Sequence, residues 1–354
     1  MKNILFLLSI LFIGSLVSCD TDYRQPARGT FSEVLVVMDS TRWESATAEA
    51  IRETFGEMIM TLPRPEQKYD LRFMTLRTNS DLDYAKRNKN TIFAATLDED
   101  TNVGTYMRSI LSEDIKERVE NGQNFAFPLK DRWYANQWTL LLTSTDDQTL
   151  ARKIRQSGSN LVSSLDNIEI DRWKDNIFRR GEQTHLSDSL MTEYGFKIRV
   201  QHDYQLNIQT DDFVSLRRVL SDNDRWIWIW WQDGVESIDH VNAAWINAKR
   251  DSLMEKYIRG TREESYVQTE YRRAVETEEV TLNGRPAFET RGTWRMEADL
   301  MGGPFLNYTI YDEVQNRLYL IEFGQFAPQH PKRRFVYQFE AIAHTFETDS
   351  TFVN

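Results

Sequence analysis

The fold is decided by residues 33–60, which read EVLVVMDSTRWESATAEAIRETFGEMIM. The first six of these residues, EVLVVM, have the length of a strand, and the five that follow Glu33 are all apolar. Over residues 43–60 the apolar side chains recur at helical spacing, as at Ala46, Ala50 and Ile51. The stretch therefore predicts a strand followed by a helix, the repeating unit of an α/β domain.

The same alternation of strands and helices continues to residue 194. The proline-rich stretch at residues 62–65 ends the first helix, because proline disfavours helix in the residue before it. Further strands are predicted at residues 69–76, 91–96, 125–129 and 133–142, and further helices at residues 103–119, 150–165 and 170–194. We therefore predict an N-terminal α/β domain over residues 31–194, a mixed sheet with helices against it.

The order of elements differs in the second half of the chain, where several strands follow one another. Strands are predicted at residues 196–200, 204–208, 226–231, 266–275, 285–294, 307–311 and 318–323. Helices are predicted at residues 238–258 and after Pro331. Because consecutive strands with short links form antiparallel sheets, residues 195–354 predict an α+β domain, a largely antiparallel sheet covered by helices.

The amino-terminal segment has the features of a lipoprotein signal peptide. Lys2 provides the positive charge, residues 4–17 are apolar, and residues 16–19 read LVSC, which looks like a lipobox. The apolar run is shorter than the roughly 20 residues that cross a bilayer. We therefore predict a signal peptide at residues 1–18, and a lipidated Cys19 with a polar tether at residues 19–30. An ordinary secretory signal is the alternative.

A lipobox implies a diacylglyceryl thioether on the Cys19 sulfur and a palmitate-type N-acyl chain. Each buried methylene of such chains contributes about 0.8 kcal/mol to membrane binding. We expect a Cys19→Ala variant to lose labelling by a radioactive fatty acid and to accumulate as the precursor. Undiminished labelling of that variant would contradict the predicted anchor.

Composition limits the classes of partner and of chemistry. Without Lys2 the chain has 42 basic and 54 acidic residues, a formal charge of −12, which disfavours nucleic acid and anionic lipid headgroups as partners. No cysteine other than Cys19 is present, so the mature chain has no internal disulfide and no thiolate nucleophile. Ten Trp and 19 Phe indicate that aromatic packing supplies the stability.

Several short stretches make the chain resemble a family of uncharacterised Bacteroidota lipoproteins, known as a domain of unknown function. These stretches are residues 29–37, 62–66, 132–137, 291–297, 301–305 and 327–328. The resemblance implies an outer-membrane location but no activity. Asp20 and Asp22 resemble signals that send lipoproteins to the cell surface, and the periplasmic face and the cell surface both stay open.

The sharpest local pattern is WIWIWW at residues 226–231. Alternation along a strand places Trp226, Trp228 and Trp230 on one face. One interpretation of these rings, with Trp228 at their centre, is a platform on which sugar rings stack. The pattern favours the other interpretation, a central strand buried on both faces, which unmixed apolar strands usually indicate.

A second candidate site is the polar segment that runs from Arg291 to Asp299 into the glycines of residues 301–305. Its candidate ligand-binding residues are Arg291, Trp294, Arg295, Glu297 and Asp299. A guanidinium there would pair with a ligand carboxylate or phosphate, and the glycines would let the backbone approach it. The alternative is a pair of strands whose opposite charges pair on the wet face.

No motif for a metal, a phosphate, a dinucleotide or a nucleophilic serine is present in the sequence, and the five histidines lack zinc-site spacing. We therefore expect no metal and no cofactor. The first functional hypothesis is a non-enzymatic envelope lipoprotein that binds a protein partner or an envelope glycan. The second is a glycan-active or other hydrolase whose site residues are dispersed, with the segment from Arg291 to Asp299 as one wall.

Overall fold

A computed structural model describes residues 24–352, and the side chains of residues 24–350. The predicted signal peptide and Cys19 lie outside the described residues. Within them the chain forms nine α-helices and seventeen strands, arranged around two main sheets. The predicted fold class is confirmed: an α/β arrangement in the N-terminal half is followed by an α+β arrangement in the C-terminal half.

The elements of the N-terminal half alternate between strands and helices, as the sequence predicts. The strands are β1 (Glu33–Val37), β2 (Met58–Ile59), β3 (Glu66–Gln67), β4 (Asp70–Met74), β5 (Asn90–Ala94), β6 (Ala126–Lys130) and β7 (Trp138–Leu142). The helices are α1 (Ala46–Phe55), α2 (Asn79–Arg87), α3 (Asn102–Ile110), α4 (Glu113–Glu120), α5 (Asp147–Gln156) and α6 (Gly158–Phe178).

The N-terminal sheet has the order β4-β1-β5-β7-β6, with β6 antiparallel to its neighbour and the other pairs parallel. Both faces of β1 are buried, because Val34 and Val36 pack beneath α1, α5 and α6, whereas Leu35 and Val37 pack beneath α2 and α3. This two-sided burial explains why the strand reads as a continuous apolar run.

The C-terminal half contains the larger sheet. The strands of this half of the chain are β8 (Phe196–Lys197), β9 (Gln205–Gln209), β10 (Phe213–Arg218), β11 (Asp224–Gln232), β12 (Val267–Thr269), β13 (Glu276–Leu282), β14 (Arg285–Met296), β15 (Gly302–Asp312), β16 (Arg317–Phe326) and β17 (Glu347–Thr348). Its helices are α7 (Thr184–Tyr194), α8 (Ala243–Tyr257) and α9 (Arg333–Ala343).

Eight of these strands form one antiparallel sheet with the order β12-β14-β15-β16-β11-β10-β9, and β13 also pairs with β14. One face packs beneath α8, where Trp228, Leu253 and Met254 share a core. The other face packs beneath α9, where Ile229 and Phe339 share a second core. The sheet is therefore covered on both sides by helices.

The two halves touch along α9. The Tyr337 hydroxyl donates to the Lys68 carbonyl (2.8 Å), and the Arg333 guanidinium pairs with Asp70 (2.6 Å). Trp173 of α6 enters the core beneath the second sheet. The N-terminal domain thus closes one side of the C-terminal sheet.

Several element bounds differ from the sequence prediction. Strands β2, β3, β10, β13 and β17 lie outside the predicted strands, and the helices predicted at residues 103–119, 150–165 and 170–194 each span parts of two helices. The hairpin of β13 and β14 turns at Asn283 (φ 52°) and Gly284 (φ 80°). An Asn-Gly pair at positive φ is a strong hairpin signal, so this pair marks the turn in the sequence itself.

Candidate functional site

The structure places Trp228 in the core. Its relative exposure is 0%, and its ring lies 5.7 Å from that of Phe213 beneath α8. No sugar ring can stack on a side chain that has no accessible face. The structure thus contradicts the aromatic platform, and the alternative of a strand buried on both faces describes β11.

A buried ion pair lies next to Trp228 on the same face of the sheet. Glu322 stands opposite Trp228 in the register of β11 and β16. Its carboxylate accepts two hydrogen bonds from Arg250 of α8, at 2.6 and 2.8 Å, and both side chains have 0% exposure. Burial raises the pKa of Glu322 in spite of the guanidinium. The pair therefore ties α8 to the sheet.

Arg291 lies on the opposite face, in contact with α9. Its guanidinium bonds to Glu289 at 2.5 Å and to Glu340 at 2.6 Å, and Tyr308 donates to Glu289 at 2.6 Å. Although burial lowers the pKa of Arg291, the two carboxylates raise it well above its usual value. Arg291 therefore connects β14 to α9, where the sequence analysis expected a ligand-binding edge or a wet sheet face.

Trp294 is also a core residue, with 1% exposure. Its indole N–H donates to the Gln325 carbonyl (3.2 Å), and its ring lies 5.1 Å from that of Trp226. A Cβ on Gly303 would come within 1.9 Å of the same Gln325 carbonyl oxygen. Glycine at this position lets neighbouring strands pack closely, so a ligand is not needed to explain it.

The last three candidates surround the turn between β14 and β15. Arg295 pairs with Glu297 (2.7 Å), and Asp299 accepts hydrogen bonds from Ser265 and Arg262. The hydrogen bonds from Ser265 and Arg262 hold the pKa of Asp299 below its usual value. Each of these charges is thus paired within the turn or with the loop before β12, whereas the alternative interpretation predicted pairs between two strands.

The sequence candidates therefore do not converge on one site. Alternation along β14 places Arg291 and Arg295 on the α9 face and Trp294 on the α8 face. A linear segment of a strand cannot bring all its side chains to one ligand. Ligand binding by the candidates of the segment from Arg291 to Asp299 stays an untested prediction.

The structure shows a different candidate, a cleft of about 810 Å³ beside the hairpin of β13 and β14. Its apolar lining comes from the sheet and from the loop before α8, and includes Phe288, Leu318, Ile238 and Val241. Leu318 and Val241 belong to the core beneath α8. The cleft thus lies at an open end of the α8 face. We call it the hairpin cleft.

Asp312 organises the polar part of the hairpin cleft. Its carboxylate accepts hydrogen bonds from Ser350 (2.5 Å), Thr348 (2.6 Å) and Arg285 (3.2 Å). Burial would raise the pKa of Asp312, but these donors hold it below the usual value. A carboxylate fixed in this way orients Arg285 at the cleft wall.

Two other carboxylates also line the cleft. Glu279 and Glu313 are exposed, and neither has a hydrogen bond or ion pair within the described part of the chain. Glu279 lies on β13, which pairs with β14 alone among the described strands. The hairpin cleft thus combines an apolar floor, two free negative charges and an unpaired strand edge.

No group of three or more His, Cys, Asp or Glu side chains between residues 24 and 350 is arranged to hold a metal ion. None of the described helices has the length and apolar character that crossing a membrane requires.

Known structures offer remote likenesses. The Ran-binding protein Mog1p of Saccharomyces cerevisiae is 14% identical over 44% of this chain and 92% of its own, with a TM-score of 0.30. LpqN of Mycobacterium tuberculosis, a protein involved in cell envelope biogenesis, is 12% identical over 43% of this chain and 81% of its own, with a TM-score of 0.26. At these scores we transfer neither fold nor function. No curated protein matches the chain.

Protein-family models match both halves of the chain. The two matched segments meet between residues 178 and 183, after α6 and before α7. Residues 27–178 match the model of one domain of unknown function, DUF8532, and residues 183–345 match the model of another, DUF4837.

Proposed function

We propose that the chain is an envelope lipoprotein, held at the outer membrane by acyl chains on Cys19, whose C-terminal domain binds a protein partner in the hairpin cleft. The lipobox at residues 16–19 supports the anchor. The observation that carries the binding role is the hairpin cleft itself, with its apolar floor and its unpartnered carboxylates Glu279 and Glu313.

The size and lining of the cleft suit a ligand. Its volume of about 810 Å³ falls within the roughly 300–1,000 Å³ of small-molecule and peptide-sized pockets. Such pockets combine apolar walls with a few polar groups that orient the ligand. Phe288 and Leu318 supply the apolar surface, and Glu279, Glu313 and Arg285 supply the polar groups.

The edge of β13 indicates the form of the partner. An extended segment can add to an unpaired edge through main-chain hydrogen bonds, and its alternate side chains then enter pockets beside that edge. Glu279 and Glu313 would attract a segment that carries Lys or Arg. We therefore propose an extended, basic segment of another envelope protein as the ligand.

The carboxyl groups in the described part of the chain support the hydrolase hypothesis less well than the binding role. General acid catalysis near neutral pH needs a carboxyl whose pKa is raised. Among the described carboxyls the raised values belong to Glu322 and Glu340, and each is paired with an arginine in the interior. The alternative ligand of the hairpin cleft is an envelope glycan, which photocrosslinking distinguishes from a protein.

The test is site-specific photocrosslinking of the full chain in intact cells. A photoreactive residue at the exposed position Thr281, on the cleft wall, is expected to capture a protein. The double variant Glu279→Lys with Glu313→Lys should lower the yield about five- to thirtyfold, since each exposed charge pair contributes up to about 1 kcal/mol. The capture would be measured by mass spectrometry of the crosslinked product.

The matched control is Glu117→Lys, an exposed acidic residue of α4 in the other domain. It should leave the yield unchanged. An equal yield from wild type and the double variant would contradict the role of the cleft. Capture of a glycan in place of a protein would favour the alternative ligand.

A further inference from the structure

The chain enters the described structure at Arg24, and its first residues lie against the N-terminal domain. The Arg28 amide donates to the Arg87 carbonyl (2.7 Å), and the Ala27 amide donates to the Ala135 carbonyl (2.9 Å). The entering chain, the end of α2 and the loop before β7 thus form one continuous surface. We define residues 24–30, 83–89 and 130–134 as the tether-exit surface.

The tether-exit surface is basic in an acidic protein. Its formal charge is +5, from seven basic and two acidic residues, whereas the whole chain has a charge of −11. The acidic residues are Asp83 and Asp131, and the adjoining Glu33 is paired with Arg72 (2.8 Å). The basic residues are Arg24, Arg28, Lys86, Arg87, Lys89, Lys130 and Arg132. Folding thus gathers positive charge where the tether leaves the domain.

Aromatic side chains lie among these charges. Tyr84 is 44% exposed, and the Lys86 ammonium lies 5.6 Å from the ring of Trp133. Lys86, Arg87, Trp133 and Tyr134 line a cleft of about 650 Å³. Arg87 also lines a second cleft of about 280 Å³, together with Arg28, Arg72 and Tyr84. Mixed aromatic and basic residues are typical of protein surfaces at the membrane interface.

The chain length between Cys19 and Arg24 limits how far this surface can lie from the acyl chains. Five residues span at most roughly 18 Å, because an extended chain advances no more than about 3.6 Å per residue. A lipid on Cys19 would therefore hold the tether-exit surface beside the bilayer. At physiological salt, charges are screened beyond about 8 Å. The membrane would then respond to the nearby positive charge more than to the net charge.

We propose that the tether-exit surface docks on the anionic phospholipid headgroups of the membrane that holds the acyl chains of Cys19. This inference rests on the proposed lipid anchor. Phosphate oxygens accept hydrogen bonds from Arg28, Arg87 and Arg132, and Tyr84 and Trp133 enter the headgroup layer. The proposal replaces the expectation, drawn from net charge alone, that anionic headgroups are disfavoured partners.

The test uses the full lipid-modified chain in vesicles of phosphatidylcholine, with and without 30% phosphatidylglycerol, chosen as roughly a leaflet-like anionic content. Amide hydrogen exchange of residues 83–89 and 130–134 is expected to slow at least about threefold on the anionic vesicles. High salt should remove that protection. Equal exchange on both kinds of vesicle would overturn the proposal.

Two variants connect the protection to these residues. Arg28 and Arg132 are exposed, so the double variant Arg28→Glu with Arg132→Glu should fold and should lose the anionic-lipid-dependent protection. Lys256→Glu with Arg259→Glu, at the end of α8 in the other domain, makes the same change of charge and should keep the protection. Protection that survives the first double variant would contradict the proposal.

Mass spectrometry of the amino terminus distinguishes a failure of the proposed lipid anchor from a failure of the docking inference. An unmodified Cys19 would contradict the proposed anchor, and the docking inference would fall with it. An acylated, vesicle-bound chain without protection at the tether-exit surface would contradict the docking inference alone.

Discussion

The variant Arg250→Met is expected to lower the free energy of unfolding of the C-terminal domain by about 3–5 kcal/mol. The substitution leaves the Glu322 carboxylate in the interior without its bidentate partner, and both side chains have 0% exposure. A buried charge without a partner is strongly destabilising. Urea unfolding followed by tryptophan fluorescence measures this loss, because Trp226, Trp228 and Trp230 lie in the same core.

Two further variants test whether the burial of the ion pair causes this loss of stability. Adding Glu322→Leu to Arg250→Met should restore much of the stability, since an apolar pair of similar volume often replaces a buried ion pair without loss. Arg295→Met removes another Arg-Glu pair, but the Arg295 side chain is 38% exposed, so the change should stay below about 1 kcal/mol. Equal losses for Arg250→Met and Arg295→Met would contradict the role assigned to burial.

The variant Trp228→Ala is expected to lower the free energy of unfolding by about 3–5 kcal/mol. The ring is fully buried against Phe213 and beneath α8, so its removal leaves a cavity that the sheet and helix fill only in part. Urea unfolding of the full chain, followed by circular dichroism, measures the loss without relying on the deleted fluorophore.

The control for Trp228→Ala is Leu300→Ala, a fully exposed residue of the turn between β14 and β15. It should change stability by no more than about 0.5 kcal/mol. Titration with glycan oligomers distinguishes the core role from the platform role. A Trp228→Ala variant that keeps its stability and loses glycan binding would contradict the core role.

The fold was largely predictable because both sheets leave periodic patterns in the sequence. Residues 34–37 of β1 are all apolar because helices cover both faces of the strand. Strand β13 leaves no such pattern, because its residues ETEEVTL lie at the sheet edge, are mostly exposed and carry no apolar run. The Asn283-Gly284 turn was the signal that could have located it.

The candidate site was not predictable in the same way. The segment from Arg291 to Asp299 concentrates charge in the sequence, but the pleat of β14 distributes its side chains over two faces. The hairpin cleft instead combines Glu279 of β13, Glu313 after β15 and Ile238 before α8. These residues are far apart in the chain and carry no shared motif, so only their packing identifies the site.

The sequence by itself determined most of the strands and helices, the α/β and α+β fold classes and the lipobox that predicts the anchor, because these depend on local periodicity and on short motifs. The tertiary structure alone decided which residues share a surface. It buried Trp228 and Glu322, opened the hairpin cleft and gathered the basic tether-exit surface in a chain of net charge −11. The physical reason is that burial and electrostatic fields depend on distances in space, which residues far apart in sequence acquire only when the chain folds.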